Sequence, residues 1–252
     1  MVLIINDQTM KVMHCASSNA TKWKHLTLFV HNHVCLHNGI NLSLCQCDPL
    51  EQVDNYKYLG VTIDKNLRFD THIKRITSNL RKVSYQFFHI KDMISKKVLM
   101  TMYNALVESS LRYGVTLWGL TSNVYKKELV TVQNNIIKII HNSSTLNKNM
   151  EIKCIYKSLG ILPLDALVNY IIIVDNYFKD THKKVKTTKH IMESRQKDVY
   201  HVPHYYNHYG KNKLDALVPR IFNKLPYQLK TLTSISEVKL KIKTHLLQID
   251  GQ

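Results

Sequence analysis

Between Asp70 and Ile90 the apolar residues Ile73, Ile76, Leu80, Val83, Phe87 and Ile90 follow one another at intervals of 3, 4, 3, 4 and 3, with Lys74, Arg75, Arg81 and Lys82 falling between them. That repeat draws one stripe along a 3.6-residue helix and fits no pleated strand, whose faces alternate at period two. The segment predicts an amphipathic helix with Asp70 or Thr71 as its cap. Such a stripe needs partners, because most helical stability in proteins comes from packing. Two come directly after it. A second helix starts at Ser95 and presents Val98, Leu99, Met102, Tyr103, Leu106, Val107 and Leu111 before stopping at Tyr113–Gly114. A third runs from about Val124 to Ile140, with Tyr125, Leu129, Val132, Ile136 and Ile139 on one face. Three stripes on consecutive helices can bury one another as a small bundle.

The flanks read differently. Upstream, Met10 to Cys15, Leu26 to Leu36 and Tyr58 to Ile63 read as strands, with a turn at Asn38–Gly39. Downstream, a polar loop from Ser143 to Asn149 leads to a short helix closed by Leu159–Gly160. Pro163 then opens a helix from Leu164 to Phe178 that is apolar nearly all round and should be buried. Thr181 to Val199 is Lys-rich and poorly patterned, the best candidate for a linker or flexible arm. Tyr200 to Tyr209 crowds four tyrosines and three histidines around one proline, and a last helix opens on Ser234-Ile-Ser-Glu237, a capping box, continuing through Val238, Ile242, Leu246 and Ile249. Four segments result: a β-rich 1–65, a helical bundle over 66–145, a buried helical extension over 146–180, and a basic tail with a terminal helix over 181–252. The fold class expected is α+β, predominantly helical. The 252 residues, 44% apolar and 21% charged, can fill a core, and 7 glycines are few for a fold that winds tight turns around a phosphate.

Thirty-five Lys and Arg against 18 Asp and Glu give a formal charge of +17. The excess is nil up to Gly60, +8 from Val61 to Phe178 and +9 beyond. A polyanion is the natural partner, lying against the latter two segments. Five cysteines, an odd number, imply reduced thiols and an intracellular setting, cytoplasmic or nuclear. The most apolar run, Tyr170 to Val174, is far too short to span a membrane.

Catalytic signals are sparse. Phosphoryl-transfer polymerases need paired carboxylates for two metal ions, and the acidic residues here are scattered singly; Asp64 and Asp70 are the best candidates to lie near each other, with a capping role for Asp70 the simpler reading. His31, His33, Cys35 and His37, with Cys45 and Cys47, hold enough soft ligands for zinc, but ligands at i and i+2 on a strand splay apart, which favours a half-exposed strand face. No metal is assigned. Tyr113 and Trp118 around Gly114 and Gly119 could stack on a base or sugar, but such residues are more often the packed end of a helix. Tyr205, Tyr206 and Tyr209, beside Lys211, Lys213 and the run Lys183, Lys184, Lys186, Lys189, make a more plausible contact surface.

Several segments resemble a known family in order and spacing. Tyr56-Lys-Tyr-Leu-Gly-Val-Thr-Ile-Asp64 with Asn66-Leu67 and His72-Ile73, then Tyr103 to Gly114 with Trp118-Gly119 and Gln133, look like the end of the palm and the thumb helices of the reverse transcriptase of non-LTR retrotransposons of the jockey and related LINE type. Leu159 to Leu164, Ile221 to Pro226 and Lys239 to Leu246 resemble that family's tail, and Val2 to Met13 faintly resembles the strand after its catalytic motif. The resemblance covers most of the chain from about Val53.

On that resemblance residues 1–65 are a palm remnant and 66–145 a thumb that closes over template and primer, holding the sugar-phosphate backbone without regard to sequence. The implied partners are an RNA template with a DNA primer, or a hybrid duplex, and the upstream half of the polymerase. The family's metal-binding carboxylates come from a Y/F-x-D-D hairpin and an earlier Asp that no residue here matches. No catalytic residue is carried over, Mg²⁺ is expected only in the full-length polymerase, and the chain should be inactive alone. The nucleic-acid contacts expected are Tyr58 and Gly60, near the family's primer end, with Lys74, Arg75, Arg81, Lys82, Lys96, Lys97, Lys183, Lys184, Lys186, Lys211 and Lys213. Two other readings fit the same features: a small basic RNA-binding or interaction protein, and the product of a decayed element with no selected role.

Overall fold

The computed structural model describes residues 11–13, 50–142, 151–179, 199–206 and 208–249. The strand expected over Leu26–Leu36, the His/Cys cluster at 31–47 and the lysines from Lys183 to Lys189 lie outside the described residues. The chain divides into two compact units, Met1–His72 and Ile73–Gln252. The architecture is predominantly helical α+β, with its small sheets in the first unit.

In that unit β1 (Lys11–Val12) pairs parallel with β2 (Glu51–Gln52), where Lys11 and Glu51 form an ion pair at 2.8 Å. Next, β3 (Asn55–Tyr58) and β4 (Val61–Asp64) pair antiparallel, Asn55 opposite Asp64 and Tyr58 opposite Val61. The single strand expected from Tyr58 to Ile63 is therefore a hairpin. Its two-residue loop, Leu59–Gly60, has φ of 43° and 81°, and two left-handed residues in succession match the twist of the flanking strands. Gly60 takes that conformation at no steric cost; Leu59 is forced into it and points out, 73% exposed.

Asp64 ends the hairpin and organises the turn behind it. Its Oδ1 accepts the Asn66 and Arg68 N–H groups at 3.0 and 3.1 Å, and its Oδ2 accepts the Phe69 N–H at 2.5 Å. The carboxylate is buried and committed to folding the chain into α1 (Asp70–Ile90). Asp70 is the first residue of that helix, one position later than a cap, where its negative charge suits the positive end of the helix dipole. In the same turn His72 is buried, and its Nδ1 accepts the Thr62 N–H at 3.3 Å.

Along α1 the expected stripe is found, with Ile73, Ile76, Leu80 and Phe87 buried and Val83 and Ile90 half-buried. The second helix departs from expectation. Ser95 is its N-cap without a side-chain bond, and α2 (Lys96–Met102) runs unbroken into a π-helical segment, Tyr103–Glu108, and then α3 (Ser109–Arg112). Its buried residues, Leu99, Tyr103, Val107 and Leu111, recur every four positions, whereas Val98 and Leu106, expected inside, are 46% and 41% exposed. An α-helix cannot keep residues four apart in line over three repeats. The π segment, closed by longer i→i+5 bonds, takes up that drift.

Gly114, left-handed at φ 62°, ends α3 and opens α4 (Val115–Trp118). Gly119 is next, with its N–H donating to Val115 O at 2.7 Å. It is glycine for want of room: a Cβ would lie 2.5 Å from Val115 O and 2.7 Å from Val168 Cγ2. Gly119→Ala should cost about 1–3 kcal/mol, read as a lower urea midpoint; a wild-type midpoint would mean that the backbone is not so confined.

Then comes α5 (Asn123–Asn142), whose buried face, Lys126, Leu129, Val132, Gln133, Ile136, Ile137 and Ile140, is turned from the expected one, leaving Tyr125 and Ile139 half-buried. α6 (Ile152–Leu159) closes on left-handed Gly160, whose N–H donates to Lys157 O while that of Ile161 donates to Tyr156 O, a Schellman cap. Pro163 is the N-cap, rather than the first turn, of α7 (Leu164–Asn176), which ends two residues short of Phe178. Eight of its residues are buried, and each large apolar side chain among them stabilises by about 1.5–3 kcal/mol.

The tail belongs to the same unit. After α8 (His208–Lys211), α9 (Leu214–Asn223) and α11 (Ile235–Ile249) pack on α7, with α10 (Tyr227–Lys230) between them in sequence. Tyr177 ties the end of α7 to this tail: its hydroxyl donates to Leu229 O and accepts the Leu232 N–H, both at 2.8 Å. Val238, Ile242 and Leu246 are buried as expected, while Ile249 is 51% exposed. The capping box is not what opens α11. Ser234 pairs with the Ser236 hydroxyl at 2.8 Å, Glu237 reaches forward to Lys241 at 2.5 Å, and the first-turn bond runs from Val238 N–H to Ser234 O. No single helix among the described residues is long and apolar enough to cross a membrane.

Candidate nucleic-acid interface

The buried stripe of α1 dictates what its other side displays. Starting from Lys74, steps of four, three and four residues reach Ser78, Arg81 and Tyr85, and the next turn adds Phe88 and His89; all lie opposite Ile73, Ile76, Leu80 and Phe87. Lys82 is exposed and Arg75 half-buried at the margin of the same face. Arg81 donates to Glu128 of α5 at 3.1 Å, with both side chains mostly exposed, an ion pair worth at most about 1 kcal/mol. Lys96 and Lys97 open α2, half-buried and exposed respectively.

Beyond the cations this face carries rings. Tyr85 is 68% exposed and Phe88 55%, and His89 stands edge-on to both, 4.3 Å from the first and 5.8 Å from the second by ring centroids. Lys91 places its ammonium 4.7 Å from the centroid of Phe88. Counting helical steps from Lys74 puts these rings on the solvent side, a signal present in the spacing but hidden among the charges.

The other expected contacts belong to other elements. Tyr58, 59% exposed, and Gly60 belong to the hairpin of the first unit. Lys211 and Lys213 are exposed where α8 turns into α9; the Lys213 ammonium lies 5.4 Å from the ring centroid of Tyr205. Tyr205 serves the fold, because its hydroxyl donates to Asp215 at 2.6 Å and Gly210 presses against its ring, so close that a Cβ there would come within 2.7 Å. That carboxylate raises the Tyr205 pKa. Tyr206 is 94% exposed, with His204 edge-on at 4.9 Å, and the side chain of Tyr209 lies outside the described residues.

The aromatic pair around Gly114 and Gly119 splits. Tyr113 is 56% exposed, but Trp118 is fully buried and its indole N–H donates to Tyr113 O at 2.9 Å, so the packed helix end is the correct reading for it. Beside it Lys126 is buried, its ammonium donating to Gly119 O at 3.0 Å and to Asp165 at 2.6 Å, at the edge of a cavity of about 410 Å³.

A polar knot holds these helices in register. Gln133, 1% exposed, donates through Nε2 to the Tyr103 hydroxyl at 3.0 Å and to Leu162 O at 3.2 Å, and its Oε1 accepts the Leu164 N–H at 3.1 Å. One side chain thereby joins the π segment, α5 and the entrance to α7. Burial pushes the Tyr103 hydroxyl well above the usual tyrosine range, so it stays protonated at any physiological pH. Among the described residues no three His, Cys, Asp or Glu side chains gather where they could hold a metal ion.

Comparison with known proteins adds a family context. Over 121 residues, 44% of this chain, it is 26% identical to the probable RNA-directed DNA polymerase from transposon X-element of Drosophila melanogaster. Over 97 residues, 36% of this chain, it is 28% identical to the probable RNA-directed DNA polymerase from transposon BS of the same fly. The matched stretches span 13% and 10% of those relatives' lengths. No family model matches, and no solved structure does so significantly.

Proposed function

We propose that this chain is the thumb-bearing, C-terminal portion of a non-LTR reverse transcriptase, and that it grips the template-primer duplex through the phosphate backbone. The observation that carries this reading is the outward face of α1, where Lys74, Arg75, Arg81 and Lys82 stand opposite a stripe already occupied by the core. Cations grouped on one helix face can neutralise phosphates and read no base edges, which suits an enzyme that must slide along every sequence it copies. Partial similarity to two transposon-encoded RNA-directed DNA polymerases supports it. In this reading the chain positions the duplex, and the metal-dependent chemistry belongs to carboxylates outside these 252 residues.

The test is titration of a labelled RNA–DNA hybrid duplex with the chain at several salt concentrations, followed by primer extension with Mg²⁺. Binding should weaken linearly in log–log form, by roughly 0.7–0.9 per phosphate engaged, without preference for duplex sequence. No primer should lengthen. Affinity indifferent to salt would remove the backbone grip, and templated incorporation would refute the division of labour.

A further inference from the structure

We infer that the C-terminal half of α1's outward face, Tyr85, Phe88 and His89 with Lys91, is a stacking platform for unpaired bases, adjoining the cations proposed above to hold duplex. The inference rests on the thumb reading for the duplex half of the face and on the geometry of the rings for its own half.

Scattered apolar residues on a surface need no explanation, but here rings cluster on the side of α1 turned away from its buried stripe. The buried stripe of α1 runs along the opposite side, so the exposure of Tyr85 and Phe88 is not a failure of packing. His89 stands edge-on to both, and Tyr85 and Phe88 stay 68% and 55% exposed beside it. Met93, in the turn after the helix, is also exposed, at 82%.

Charge selects the occupant. The rings lie between Lys82 and Arg81 on one side and Lys91 on the other, and Lys91 already sits over Phe88. An apolar protein surface docking here would have to desolvate those cations, whereas a nucleotide brings a flat π-face for each ring and a phosphate for each ammonium. Aromatic rings interleaved with cations are how single strands are held without sequence preference. At 1.5 Å per residue, Lys74 and Tyr85 are about 16 Å apart along the axis, so one helix can serve duplex at its start and a single-stranded extension at its end.

The experiment uses the 252-residue chain, fluorescence anisotropy, and two labelled probes: an oligo(U) of about 12 nucleotides and a blunt RNA–DNA hybrid of about 16 base pairs. The variants are Tyr85→Ala with Phe88→Ala and, to keep apolar bulk and helix propensity, Tyr85→Leu with Phe88→Leu. Each stacked base contributes roughly 5-fold to 150-fold in affinity. Both double variants should therefore lose at least about tenfold on oligo(U) and change less than about twofold on the blunt hybrid. Unchanged oligo(U) affinity in the alanine variant overturns the platform and leaves the duplex reading standing. Loss in the alanine variant with full retention in the leucine variant also overturns it, since that marks a greasy contact rather than stacking. A chain that binds oligo(U) through these rings but no hybrid refutes the thumb reading and keeps the platform. Self-association of the wild-type chain that the alanine variant abolishes, with oligo(U) binding intact, assigns the patch to a protein partner instead.

Discussion

Gln133→Leu will lower the folding free energy by about 2–5 kcal/mol, a larger loss than Gly119→Ala should bring. Leucine fills nearly the same volume, so the effect is electrical rather than steric. It strands three groups at once: the Leu164 N–H, the Leu162 carbonyl and the Tyr103 hydroxyl, each bonded to the Gln133 amide. A buried polar group left without a partner costs about 1–3 kcal/mol, more than a bond returns when it forms. Both Leu162 and Leu164 are buried, so water cannot substitute without opening the junction. Tyr103→Phe supplies the internal scale. It removes one of the two acceptors of Nε2 and leaves the other, so it should cost about 1 kcal/mol. Urea unfolding with an unchanged slope measures both. A midpoint for Gln133→Leu within error of wild type, or a costlier Tyr103→Phe, would mean that the knot does not hold the helices together.

The other large effect concerns binding. Reversing the four cations of α1 together, Lys74→Glu, Arg75→Glu, Arg81→Glu and Lys82→Glu, should cut affinity for the hybrid duplex at least about 100-fold at low salt and flatten the log–log salt dependence by roughly three. The fold should survive. None of the four is fully buried, and the Arg81–Glu128 pair is too exposed to matter much to stability. Circular dichroism with a melting curve checks that. Unchanged affinity in a folded variant would take the contact away from α1 and move it to the tail, where Lys211 and Lys213 are the exposed cations singled out.

Legibility in the sequence varies from element to element. The stripe of α1 can be read there, because its spacing admits one solution and its strongest members, Ile73, Leu80 and Phe87, are all buried. So can the end of α6, since Leu159–Gly160 leaves little alternative to a left-handed cap. The hairpin at Leu59–Gly60 is hidden because Tyr58 to Ile63 is rich in strand formers, and a leucine at positive φ is the last residue one would choose for the turn. Burial of Lys126 is hidden too, because charge argues for the surface; it becomes tolerable only where Gly119 O and Asp165 receive the ammonium.

The candidate interface is partly legible as well. The four cations of α1 can be named from spacing, and the same helical steps place Tyr85 and Phe88 outside while Phe87, one residue away, falls on the buried stripe. Tyr205 and Trp118 go the other way: both resemble contact residues, and both spend their polar atoms inside the fold.

Some local matters, then, are written in the chain itself: where α6 ends, which stripe of α1 turns inward, and where charge accumulates. These depend on residues within a turn or two of one another, and helical spacing expresses them directly. Packing in three dimensions settles which of two adjacent apolar residues is covered, as between Leu99 and Val98 or Val107 and Leu106. That choice is made by partners elsewhere in the chain: Gln133 and α5 lock Tyr103 inward, and the π segment holds every fourth residue in line behind it.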